Sequence, residues 1–135
     1  MGLAFPKGEP LGVTKHRKRV DADAALRECY ADVDARDASI CWVTGRYTSS
    51  GAVDPRVRRE HHHLVKRSRD RGLIDKPHNV ITVTAEAHKL IEAGWIVVEG
   101  KDARKAIFFH WRADVQAHQK PFRIQAKRQF HRERD

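Results

Sequence analysis

A chain of 135 residues is the size of one domain, since domains cluster at ~100–150 residues, and a second full domain is excluded. With 40% hydrophobic and 33% charged residues, the chain should fold around an ordinary core beneath a surface more charged than the ~25% average. The 27 Lys and Arg outnumber the 18 Asp and Glu to leave +9 before any of nine histidines protonates, which makes nucleic acid the first partner to expect, while the longest apolar stretch, Ala93–Val98, is far short of the ~20 residues that span a membrane.

Residues 1–14 hold three glycines and two prolines without apolar period and read as a flexible leader. They lack the basic-then-apolar layout of a signal peptide, so a cytoplasmic protein is expected. Lys15-His16-Arg17-Lys18-Arg19 is a basic run, either solvated surface or an arm on phosphates. Between Asp21 and Asp37 six acids face two arginines, a local net of −4 that leaves +13 for the rest of the chain. Ala22, Leu26, Cys29, Tyr30 and Val33 recur there at helical spacing, and Asp21 suits an N-cap. The spacing predicts an amphipathic helix over 21–36 whose acidic face points away from any nucleic acid.

Cys41-Trp42-Val43-Thr44 is a short β-type run followed by loop chemistry from Gly45 to Gly51. Only Cys29 and Cys41 occur, twelve positions apart, which excludes a Cys-x-x-Cys zinc knuckle and a disulfide framework. Two partly buried thiols are expected. Arg59–Val65 reads as a strand, 67–79 as a basic loop, and Val80–Val83 as a second, β-branched strand. Thr84 can cap a helix over 85–93, with Glu86 in the first turn and Gly94 as its stop. Trp95–Val98 and Ala106–Trp111 flank a polar loop and read as a hairpin. From Lys120 to Asp135 six basic residues meet two acids, which suits a basic tail, taken as a helix on a phosphate backbone.

The chemistry concentrates in His61-His62-His63, inside the first strand. Alternation sends neighbouring side chains to opposite faces, so adjacent histidines cannot share one role. Asn79 opens the second strand sixteen positions after His63, and His88 follows nine positions later on the helix. The order His-His, Asn, His on strand, strand and helix resembles the HNH endonucleases, the ββα-metal family. The resemblance spans Cys41 to Gly94, about 40% of the chain. It rests on Glu60-His61-His62-His63-Leu64-Val65-Lys66-Arg67-Ser68, on Pro77-His78-Asn79-Val80-Ile81-Thr82-Val83 and on His88. Cys41-Trp42-Val43-Thr44-Gly45 is similar to the Cys-x-x-Thr-Gly lead-in of phage-type members.

The resemblance implies an α+β domain over 15–119. A ββα-metal motif at 41–94 would follow an N-terminal helix and precede a β-hairpin and the basic tail at 120–135. It further implies that His62 and His88 ligate a divalent metal (Mg, Mn, Ni or Zn), that His63 is the general base, and that Asn79 pins the inter-strand loop and orients His63. The alternative register, His61 as ligand and His62 as base, loses the placement of Glu60 two residues before the ligand. Glu92, where several members carry His, lies one helical turn after His88 and is open between a third ligand, a support for a ligand, and an exposed glutamate. Glu60 either orients a ligand or pairs with Arg58 or Arg67. Lys66, Arg67, Arg69 and Arg71 are candidate phosphate contacts, each also readable as solvated charge. The two Cys-x-x-Cys pairs that brace many members with zinc are missing, so packing must brace the motif.

These roles agree with elementary chemistry. Phosphodiester hydrolysis needs a deprotonated water, a cation on the phosphate oxygens and donors that hold the phosphate. A histidine outside the metal sphere is a suitable base near neutral pH. The expected function is a metal-dependent endonuclease acting on double-stranded DNA, with a partner protein as a further expectation of the resemblance. The alternative is a non-cleaving nucleic-acid-binding module on the same fold.

Overall fold

The structure is a computed structural model, and it describes residues 11–125, with side chains from residue 19 onward. Its elements run α1 (Leu11–Asp37), β1 (Arg59–His63), β2 (Val80–Thr84), α2 (Ala85–Glu92), β3 (Ile96–Glu99) and β4 (Phe108–Trp111). Short 3₁₀ turns occur at Arg71–Leu73, Pro77–Asn79 and Ala117–Gln119. This is a small α+β domain with one long helix and two antiparallel two-stranded sheets, β1-β2 and β3-β4. Among the described residues no helix is long and apolar enough to cross a membrane.

Strand β2 is the centre of the molecule. All five of its residues are buried, because both faces of Val80–Thr84 are covered. On one side Val80 packs with Cys29 and Val33 of α1. On the other, Ile81 and Val83 join Cys41, Trp42, Val43, Ala87, Ile96 and Ile107. Val and Ile suit a strand enclosed in this way, since their branched chains fill a pleated surface at little rotamer cost.

Helix α1 covers the expected 21–36 but begins at Leu11, so Asp21 lies inside the helix and does not cap it. Residues 11–14, read as the end of a leader, are its first turn, and 1–10 lie outside the described residues. The helix extends past the apolar period and the Asp21 cap signal because nothing between Leu11 and Val20 breaks the backbone except one glycine. The acidic face is divided: Asp21, Asp23, Glu28 and Asp32 are exposed, but Asp34 faces β1 and Asp37 is buried. The helix stops where Ala38 and Ser39 take left-handed φ values of 54° and 59°.

Cys41–Thr44 is not a strand. Cys41 exchanges backbone hydrogen bonds with Arg46 (2.8 Å) and Gly45 (2.9 Å), making a tight turn, and Trp42 N–H reaches Thr82 O at 3.0 Å. The Cys41 thiol accepts from the Thr44 and Thr84 amides at 3.4 and 3.3 Å, so it is a core residue that also caps backbone. Cys29 is buried as well.

The remaining elements follow their local chemistry. β1 ends at His63, two residues early, and pairs with β2 in the register His61↔Thr82, His62↔Ile81, His63↔Val80. Asn79 closes a 3₁₀ turn immediately before β2 and is not yet in the strand. Thr84 caps α2, its hydroxyl accepting from Ala87 N–H at 3.1 Å, and Gly94 at φ 83° terminates the helix. Ile96↔Trp111 to Glu99↔Phe108 is the expected hairpin. Residues 120–125 of the tail are not helical. Phe122 and Ile124 pack on the core, and Gln125 N–H donates to Val43 O at 2.9 Å, which an extended segment can do and a helix cannot. The rest of the tail, 126–135, lies outside the described residues.

Candidate metal centre and nucleic-acid cleft

Three side chains converge where β1 meets α2. One ligand atom from each of His62, His88 and Glu92 lies within 4.8 Å of the others, a spacing that can hold a metal ion. Glu92 Oε2 is 3.5 Å from His62 Nδ1 and 3.6 Å from His88 Nε2. The grouping follows from two periodicities. Strand alternation turns His62 inward toward α2, and the four-residue spacing puts His88 and Glu92 on one helix face.

The hydrogen bonding of His88 and the burial of His62 suit a cation. His88 Nδ1 lies 2.8 Å from Glu60 Oε1, and a carboxylate can only accept, so Nδ1 carries the proton and Nε2 turns its lone pair to the centre. Glu60 also lies 3.7 Å from Arg58, so it meets both His88 and an arginine. Burial, with the nearby positive potential of His88, His63 and Lys66, lowers the His62 pKa to about 4, leaving its ring neutral and its lone pair available at neutral pH. Glu92 is half exposed, which leaves the centre open on one side, as a catalytic rather than a closed structural site requires.

His63 stands on the other face of β1, outside the ligand group. Its Nε2 lies 2.9 Å from the Ile74 carbonyl. A carbonyl only accepts, so the neutral ring is protonated at Nε2 and Nδ1 keeps a free basic lone pair. Asn79 is fully buried, and its side-chain hydrogen bonds go to neighbours of His63 in the loop and not to its ring. Its amide donates to Val65 O (3.1 Å) and Leu73 O (3.2 Å), while its oxygen accepts from Val65 N–H (2.8 Å). It thereby ties the end of β1 to Leu73, the residue before the one whose carbonyl meets His63.

His61, left without a role in the favoured register, faces α1. Its ring stacks on Tyr30 at 4.1 Å and 8°, and its Nε2 is 2.7 Å from Asp34 Oδ1. Asp34 also meets Arg59 at 3.3 Å. His61 is thus engaged away from the His62–His88–Glu92 group. A cleft of about 300 Å³ opens over the site, with Leu26, Tyr30, His63, Lys66, Arg67 and Glu92 in its walls. Lys66 and Arg67 therefore flank the histidines as expected. Arg69 lines a separate cleft, and Arg71 is exposed on the first 3₁₀ turn. The sequence reading missed Tyr30 and Leu26 as cleft walls. Their only signal was the apolar face of α1, which does not say which element that face covers.

Compared with protein-family models, curated proteins and solved structures, the chain matches none.

Proposed function

We propose that the chain is a metal-dependent endonuclease of HNH type, built on a ββα-metal motif formed by β1, β2 and α2, and acting on double-stranded DNA in the cytoplasm of its host cell. The observation that carries the reading is the division of labour on β1. His62 joins His88 and Glu92, while the adjacent His63 stands apart from them with its Nε2 against the Ile74 carbonyl, which leaves Nδ1 of the neutral ring to serve as base. A binding module has no use for an oriented base beside a cation site.

A divalent cation at His62, His88 and Glu92 would withdraw charge from the phosphate and neutralise the leaving oxygen. His63 Nδ1 accepts a proton from the attacking water as its oxygen bonds to phosphorus and the bond to the departing sugar oxygen breaks. Lys66 and Arg67 neutralise the phosphodiester from the cleft wall. Glu92 supplies an oxygen donor where imidazoles would favour Zn²⁺ or Ni²⁺, which suits Mg²⁺ or Mn²⁺.

The test is supercoiled plasmid incubated with Mg²⁺, Mn²⁺, Ni²⁺ or Zn²⁺ and either wild type or His63→Ala. Wild type should nick, and the variant should lose ~10²–10⁴-fold in rate while still binding DNA. Equal nicking by both would remove His63 as the base, and no nicking by wild type with any of the metals would overturn the reading.

A further inference from the structure

The basic loop after β1 and the tip of the β3–β4 hairpin meet at a second concavity. It holds about 240 Å³ and is lined by Leu64, Val65, Lys66, Arg69 and Lys101. Three cations enter it and no carboxylate does. Lys66 also lines the cleft over the histidines, so the two concavities share a wall. Lys101 comes from an element outside the histidine motif, and nothing in the local sequence distinguishes it from any other hairpin lysine.

The placement of Lys101 is held by the core. Ala103, two residues later, is buried, and its N–H donates to His78 O at 2.6 Å, next to Asn79. Ile107 is buried on the other side of the loop. Gly100 is required between them: its φ is 129°, and a Cβ there would stand 2.4 Å from Ile107 Cδ1. The hairpin tip is therefore fastened to the inter-strand loop, and Lys101 is delivered to the same concavity as Lys66 and Arg69.

Nearby acids do not cancel this charge. Asp102 is engaged by Arg104 at 2.8 Å. Among the described residues no carboxylate forms an ion pair with Lys66, Arg69 or Lys101. The concavity on the other side of the metal centre is unlike it, since Arg58 and Lys89 there stand among Glu60, Glu86 and Glu92. The hairpin side thus carries three cations and no carboxylate, while the other concavity adds Glu86 to the carboxylates of the metal centre, so a polyanion leaving the centre is drawn toward the hairpin.

We propose that Lys66, Arg69 and Lys101 form a second phosphate site, contiguous with the metal centre, that holds the backbone of bound DNA on the hairpin side only. This rests on the nuclease reading in taking the polyanion to be DNA.

The experiment measures anisotropy of a fluorescein-labelled short duplex with the His63→Ala protein across a NaCl series in Mg²⁺. Added Lys101→Ala or Arg69→Ala should each lower the slope of log K against log salt by ~0.9, the share of one phosphate contact, and Lys101→Arg should restore it. Lys89→Ala, on the acidic side, should leave the slope unchanged. The proposal is overturned if Lys101→Ala and Lys101→Glu both overlay the parent, or if Lys89→Ala loses as much as Lys101→Ala. Plasmid nicking separates the two claims. Cleavage with Lys101-independent binding removes the phosphate site alone, and Lys101-dependent binding without cleavage removes the nuclease reading alone.

Discussion

Glu60 acts on the centre without entering it. Its carboxylate holds the proton of His88 on Nδ1, so Glu60→Gln, which loses the charge and can present a donor instead, should weaken divalent-metal affinity by ~10–100-fold, measured by calorimetric titration. An unchanged affinity would mean that His88 finds its orientation by packing alone. Glu92 tests metal choice. Glu92→His should tighten Zn²⁺ and Ni²⁺ binding and weaken turnover in Mg²⁺, and Glu92→Ala should raise the Mg²⁺ needed for half-maximal nicking. Overlaid titrations would make it an exposed helix glutamate. His62 carries a pH signature in metal-free protein. Its pKa falls from 6.5 to about 4 on folding, so between these values the unfolded chain binds the proton that the folded chain refuses. This contribution is complete above pH 6.5 and is lost as pH falls toward 4, at ~1.4 kcal/mol per unit and about 3 kcal/mol in all. Urea unfolding in EDTA at several pH values should show the slope for wild type and a flatter one for His62→Gln.

At the scale of elements, α1 braces the β1–β2 pair. Arg36 donates to Pro77 O at 2.8 Å and Val80 O at 2.7 Å, and pairs with Asp37 at 2.8 Å. Asp37 Oδ2 in turn accepts from Thr82 N–H at 3.1 Å. These bonds fasten the C-terminal turn of α1 to the turn that carries Asn79 and to β2. Arg36→Ala would leave a fully buried carboxylate and two carbonyls short of partners, and should cost about 2–4 kcal/mol in urea unfolding. Removing the exposed Arg104, whose pair with Asp102 lies on the hairpin surface, should leave the midpoint where it is. If both variants behave alike, the clamp contributes nothing beyond a surface pair. Asn79→Ala removes three hydrogen bonds from a buried site and should lower kcat more than KM, because it frees the Leu73 carbonyl next to Ile74, whose own carbonyl meets His63.

At the scale of the whole molecule, charge is sorted by position. The net +9 combines an acidic helix segment with a remainder of +13, and the acids that stay exposed on α1, such as Asp23, Glu28 and Asp32, are not in the walls of the histidine cleft. Replacing these three by Asn, Gln and Asn should strengthen DNA binding modestly through the long-range field while leaving the salt slope unchanged, since the slope counts phosphates contacted and not net charge. A changed slope would place that face of α1 on the DNA.

By itself the sequence determined the local elements whose signals are local. Thr84 and Gly94 bound α2 because a cap and a left-handed stop act within one turn, and alternation alone separates His62 from His63. The resemblance to HNH enzymes implied His62 and His88 as ligands and left Glu92 open, while two short periodicities account for how the three are aimed at one point. Only the tertiary structure decided what each face meets. Cys41–Thr44 has the composition of a strand but lies in a tight turn, because Trp42 and the Cys41 thiol are taken up by β2. Asp34 and Asp37 look like solvated acids until α1 is laid on the sheet, where His61, Arg59, Arg36 and a backbone amide become their partners. Lys101 is separated from Lys66 by thirty-five positions and joins it through one hydrogen bond at Ala103 and the packing of Ile107. Contacts of that kind depend on how elements dock, which no periodicity encodes, because burial rewards any face that fits and not a particular neighbour in sequence.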